Sequence, residues 1–208
     1  WAVFHIYVAS GIHFFLTDIT GVSFVVTSTD ARRVHLAVAI LLAAMAFPLR
    51  DSSPKTYFPW YDWAIGLGGA ATCLYAIVFA DSIAVRAGLP TGADMLISGI
   101  GMMVLGVSVY RSLGMPLLVI STIFVCYVFF GHASWLPEVV QSKGASFGKA
   151  MWHYWMQDEG VFGTALKVST ELIFLFVLFG AILEKAGAGN YFIKVAFALL
   201  GHLRGGPA

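Results

Sequence analysis

The chain has 208 residues, 59% of them hydrophobic and only 11% charged, with a formal net charge of +1. Soluble domains carry roughly 25% charged residues, so with a mean hydropathy of +0.84 this composition excludes an ordinary water-soluble domain and calls for lipid around its helices. The near-neutral charge excludes a strongly basic surface for nucleic acid. The expected fold class is all-α, a polytopic integral membrane protein of about five transmembrane helices with interfacial or re-entrant helices beside them. Cys73 and Cys126 each lie inside an apolar run with no metal-type spacing, so both read as packing residues. Trp1 follows no basic region with a cleavage site, and the chain breaks off after Arg204, Gly205, Gly206, Pro207 and Ala208. Both ends therefore read as internal to a longer polypeptide.

A helix needs about 20 apolar residues to cross about 30 Å of hydrocarbon, and the chain divides on that scale. Residues 1–26 are apolar and aromatic but interrupted by Thr17, Asp18, Thr20 and Gly21. Within an amino-terminal region 1–33 they read as a helix lying flat in the interface or, less well, as a truncated crossing. The first crossing is 34–49, bracketed by Arg32 and Arg33 before it and Arg50 and Asp51 after it. The segment 51–63 holds Pro54 and Pro59 with Tyr57, Trp60, Tyr61 and Trp63, the aromatic composition of a headgroup-level loop, and the second crossing is 60–80. Asp81, Arg86, Pro90 and Asp94 mark a polar connector. The third crossing, 95–110, is short at its Arg111 end unless that side chain snorkels to the interface. Gly114 and Pro116 then turn the chain into a fourth crossing, 115–131, antiparallel to the third.

Residues 133–160 are too polar to span. Ser146 is a plausible N-cap, and Trp152, Tyr154 and Trp155 suggest a helix lying in the interface. The fifth crossing is 161–183, with Asp158 and Glu159 placed to complement its dipole. Lys185 suits its C-terminus, Gly187 a left-handed cap, and Asn190 the cap of the next helix. That last segment, 191–203, reaches only about 20 Å, so it reads as re-entrant or interfacial. Lys and Arg divide almost equally between the two sides of these crossings, which leaves the orientation open.

Gly66, Gly68, Gly69, Ala70 and Ala71 in the second crossing, with Gly99, Gly101 and Gly106 in the third, have no strand before them and are no phosphate loop. Small residues let membrane helices approach; Gly66 with Ala70, and Gly99 with Gly106, are the helix-packing candidates. Lys167 and Glu171 lie four apart within the fifth crossing, where ionisable groups face a water path or the protein interior. The alternative sets both at headgroup level, with the apolar core beginning at Leu172. Haem would need axial pairs such as His5 with His13, His35 or His132. His35 and His132 stand at run ends, and His153 and His202 lie in interfacial segments, which weighs against it. With no Ser-His-Asp order, no HExxH and no carboxylate pair, the sequence offers no catalytic residues, no metal site and no cofactor.

The pieces EGVFG at 159–163, FLFVLFG at 174–180, LEKAGAG at 183–189 and LRGGPA at 203–208 resemble, taken together, the opening of the large permease part of TRAP transporters. Upstream, ARRVHLAVAILLAAMAF, the PWYDW segment and RAGLP at 86–90 resemble the small permease part, as in the TAXI type that fuses the two. The resemblance implies a four-helix scaffold at 34–132, an interfacial connector at 133–160 and the truncated start of the transport domain at 161–208. It also implies a sodium-coupled importer of an organic-acid-like solute in the bacterial or archaeal cytoplasmic membrane. Its partners would be the lipid bilayer, an extracytoplasmic solute-binding protein and the remainder of the large permease. The family's sodium and substrate sites fall beyond Ala208, so no substrate-binding residue is expected within this stretch. The competing reading is a non-transporting membrane anchor or assembly subunit, which four compact crossings would equally permit.

Overall fold

The computed structural model describes residues 1–23, 25–48, 58–86, 88–134 and 136–200, and every regular element among them is helical. The chain divides into two compact units, residues 1–24 with 168–208, and residues 25–167. Most of the headgroup-level loop read at 51–63, together with His202 and the LRGGPA piece, lies outside the described residues.

The chain opens in the smaller unit with α1 (Ala2–Ser10) and α2 (Ile12–Thr20). The larger unit is built from α3 (Ser28–Ala46), α4 (Trp60–Val78), the short α5 (Ala80–Val85), α6 (Gly92–Leu113) and α7 (Met115–Phe130). It continues through α8 (Phe147–Met151), a π-turn at Trp152–Met156 and α9 (Thr164–Val168), whose last residue passes into the smaller unit. Helix α3 starts well before Val34 because the Thr27 side chain accepts from the Asp30 amide at 3.1 Å and so caps it. It stops at Phe47, whose extended backbone is what the following Pro48 demands. Helix α6 opens on a full capping box: Thr91 Oγ1 accepts from the Asp94 amide at 3.3 Å, and the Asp94 carboxylate accepts from the Thr91 amide at 2.9 Å. Gly114 alone separates α6 from α7, and the two helices pack together as the short turn requires.

Helices α3, α4 and α6 pack against one another, and the core is filled by Leu36, Ala37 and Ile40 of α3, Cys73 of α4, Ile83 of α5, then Trp152, Trp155, Met156 and Phe162. The last four show that the tryptophan-rich segment turns its rings into the bundle, where the sequence reading had them facing the interface. Trp155 and Phe162 are completely buried and meet edge to face with ring centroids 5.5 Å apart. Trp155 also donates from Nε1 to the Thr72 carbonyl at 3.2 Å, so the ring's polar handle is satisfied inside the bundle. Cys73 packs as expected, whereas Cys126 is exposed on α7, a helix with no buried residue among those described.

The smaller unit adds to α1 and α2 a π-turn at Ser169–Ile173, α10 (Phe174–Lys185) and α11 (Ala188–Leu200). The opening segment is therefore neither one flat helix nor one straight crossing. Gly11 adopts φ 68, which a residue with a Cβ takes up only with strain, and the two nine-residue helices meet at 71°. Helix α1 packs on α10 and on the π-turn, where the buried His5 ring lies 4.0 Å from that of Phe174. Gly187 takes the left-handed conformation at φ 79, as its place after Lys185 suggests. Asn190 does not cap the next helix: α11 starts at Ala188, which puts Asn190 inside its first turn.

Among the described residues, three helices are long and apolar enough to cross a membrane, Trp60–Val78, Gly92–Leu113 and Thr164–Lys185, or four if the bent α1–α2 pair forms one span. Two of the five sequence-read crossings differ. Helix α3 carries Asp30, Arg32 and Arg33 in its first two turns, which leaves its apolar remainder short. Helix α7 has 16 residues, about 24 Å at 1.5 Å each.

Candidate functional site

Three ionic clusters tie the larger unit together, and each begins from a charged residue near a helix end. Asp62, in the first turn of α4, and Arg111, in the last turn of α6, meet at 2.8 Å with side chains 3% and 1% exposed. Arg111 Nη1 also donates to the Ala44 carbonyl at 3.3 Å, so this one side chain joins α3, α4 and α6. Arg111 does not snorkel outward as its position suggests. It turns inward to the carboxylate, and α6 therefore runs on to Leu113 instead of ending at 110.

At the opposite ends of these helices, the fully buried Asp94 carboxylate accepts from Tyr75 Oη of α4 at 2.8 Å and from Arg86 Nη2 at 3.3 Å. The capping residue is thus also the anchor of the α5–α6 connector. The third cluster gathers on the first turns of α3. Arg32 donates from Nη1 to the Phe162 carbonyl and from Nη2 to Thr29 Oγ1 at 3.1 Å. Arg33 donates from Nη1 to the Ala76 carbonyl at 3.0 Å and lies 3.6 Å from Asp158. Thr29 Oγ1 donates to Asp158 at 2.9 Å. Asp158 therefore serves as a tie to α3, where the sequence reading assigned it a dipole role for the fifth crossing, whose helix begins only at Thr164.

The small residues fall into a definite order. A Cβ on Gly66 would sit 3.0 Å from Leu41 and 3.3 Å from Ala44, and one on Gly69 would sit 2.6 Å from Ile40 and 2.7 Å from Val104. Ala70 packs at the edge of the core. A Cβ on Gly106 would touch Leu118 of α7 at an ordinary 3.6 Å. Gly99 faces open space, so the tight approach expected there belongs instead to Gly101, where a Cβ would overlap the indole of Trp155. Lys167 and Glu171 are both exposed and fall on the two sides of the unit boundary.

His5 and His13 are buried against aromatic rings in the smaller unit, and His35 is buried in the larger one. No group of three or more His, Cys, Asp or Glu among the described residues could hold a metal ion. Sequence reasoning missed the Asp62–Arg111 and Asp94 clusters, although both left a signal. Asp62 and Arg111 are opposite charges at matching depths of adjacent crossings, and Thr91-x-x-Asp94 is a capping-box spacing.

Long apolar helices whose inward charges are paired define a multi-pass helical membrane protein. The family profile described as "Tripartite ATP-independent periplasmic transporter, DctM component" matches residues 96–208, more than half of the chain, and the protein belongs to that family. It is therefore a TRAP transporter permease, of a family of transporters and not of enzymes. The match begins at Leu96, inside α6, well upstream of Glu159, where the sequence reading placed the start of the large-permease part. Neither a curated protein nor a solved structure matches the chain.

Proposed function

We propose that this permease drives import of an organic-acid-like solute with a sodium gradient, taking the solute from an extracytoplasmic binding protein. The carrying observation is the family match over residues 96–208, and the helical, lipid-facing architecture agrees with it. In this reading the larger unit acts as a static brace. Its three ionic clusters, each joining two or three elements, favour that role, because a movement that separated a buried pair would leave an uncompensated buried charge. The fused, TAXI-type organisation rests on the resemblance of RAGLP and its neighbours alone. The bacterial or archaeal cytoplasmic membrane is the compartment such a transporter would occupy. The test is uptake of labelled organic acid by proteoliposomes of the complete permease, with and without its solute-loaded binding protein. Uptake that needs the binding protein supports the proposal; equal uptake without it would remove the tripartite part of the reading.

A further inference from the structure

Helix α7 runs for 16 residues, about 24 Å, and so falls about 6 Å short of crossing the hydrocarbon. It sets out from the level at which α6 ends, because Gly114 alone joins the two. Helix α6 has 22 residues and is long and apolar enough to span, so at about 33 Å it outruns its returning neighbour by about 9 Å. The chain regains the start of α6 only at α8, where a Cβ on Gly148 would sit 3.2 Å from Met95 Sδ and 3.5 Å from Pro90. The stretch 131–146 therefore occupies the depth that α7 leaves open.

That stretch does not run straight out. It folds back on the last turn of α7 and satisfies the helix-end carbonyls from within the protein. The Val128 carbonyl accepts from the Ala145 amide at 3.0 Å, that of Phe130 from Ala133 at 3.0 Å and that of Gly131 from Ser142 at 2.8 Å. Tyr127 Oη donates to the Val140 carbonyl at 2.6 Å, and Gln141 Nε2 to that of Leu136 at 2.8 Å. The return is close: a Cβ on Gly131 would overlap Ser142 Oγ, and Gly144, at φ 64, lies against His132. Water would serve helix-end carbonyls without such a device, whereas lipid supplies no donor. The outward face of the same fold-back is apolar. Val139 is 96% exposed and Val140 45%, and the exposed Phe147 stacks on Phe129 of α7 with centroids 6.1 Å apart. Glu138 and Lys143 bracket the two valines in sequence, which limits how deep they can sit.

We propose that this fold-back is a shallow re-entrant cap that completes the fourth crossing and seats Val139 and Val140 among the acyl chains just below the headgroups. The occupant of its apolar face is the bilayer, and the shortfall of α7 is what calls for it.

The test places an NBD label on Val139→Cys in the full-length permease, its other accessible cysteines replaced, reconstituted in liposomes. At an almost fully exposed site the label disturbs no packing. It should be quenched by phospholipid brominated near the headgroup, less by phospholipid brominated near the chain end, and should lose its quenching by aqueous iodide. Tyr127→Phe, which removes the hydroxyl tie, should restore part of the iodide quenching. Free quenching by iodide with no effect of either lipid would overturn the proposal. So would iodide protection that appears only once the solute-binding protein is added, which would make this a protein-docking face. No transport is measured, so the outcome is independent of sodium coupling.

Discussion

At the scale of single residues, the charges inside the larger unit behave as a membrane interior requires: each has a named partner. Arg111→Ala would leave the Asp62 carboxylate, 3% exposed, buried without its cation, a loss of about 3–5 kcal/mol. Thermal unfolding in nanodiscs should show a marked fall in Tm. Arg111→Met with Asp62→Leu, which removes both charges, should lose clearly less. A second pair of variants separates two glycines that the sequence alone treats alike. Gly101→Ala drives a methyl into the Trp155 ring and should cost about 1–3 kcal/mol. Gly99→Ala meets nothing within 4 Å and should leave Tm unchanged or slightly raised, since Ala is the better helix former. Composition could place small residues on these helices. Which of them lies under an aromatic ring depends on Trp155, far along the chain, and no spacing rule reaches that far.

At the scale of elements, sequence reading locates helices well where chemistry at their ends is local, and misjudges them where partners are distant. Gly187 and the Gly114 turn are legible because a single residue decides each conformation. The start of α3 is not, because Arg32 and Arg33 read as a boundary when viewed alone. They lie within the helix, since Phe162, Ala76 and Asp158 supply acceptors from elsewhere. The Trp152–Met156 turn is misread for a related reason: tryptophans mark an interface and a packed core with the same letters. Helix α6 offers a direct element-level test. Thr91→Ala removes one half of its capping box and should cost about 0.5–2 kcal/mol. Hydrogen exchange should accelerate at the first amides of α6 and stay slow near Gly101, where the helix is pinned by packing.

At the scale of the whole molecule, the all-α membrane character follows from hydropathy alone, because helices are the only open-chain way to satisfy backbone groups in lipid. The number of crossings is less legible. Charge brackets and apolar runs do not reveal that α3 gives its first turns to ion pairs or that the opening segment breaks at Gly11. The family, too, is carried by short pieces of sequence, EGVFG and LEKAGAG among them. The extent of the match, beginning at Leu96, overlaps helices α6 and α7 that the same reading assigns to a separate scaffold. The candidate sites are the least legible part, since Lys167 and Glu171 stand exposed while the paired charges lie at helix ends. The central claim is that this permease uses a sodium gradient to move its solute. It is tested most directly by loading proteoliposomes of the complete permease, adding the solute-charged binding protein, and comparing uptake under an inward sodium gradient with uptake after a sodium ionophore collapses it. The account predicts accumulation that stops when the gradient is lost; accumulation at the same rate with no sodium gradient would contradict it.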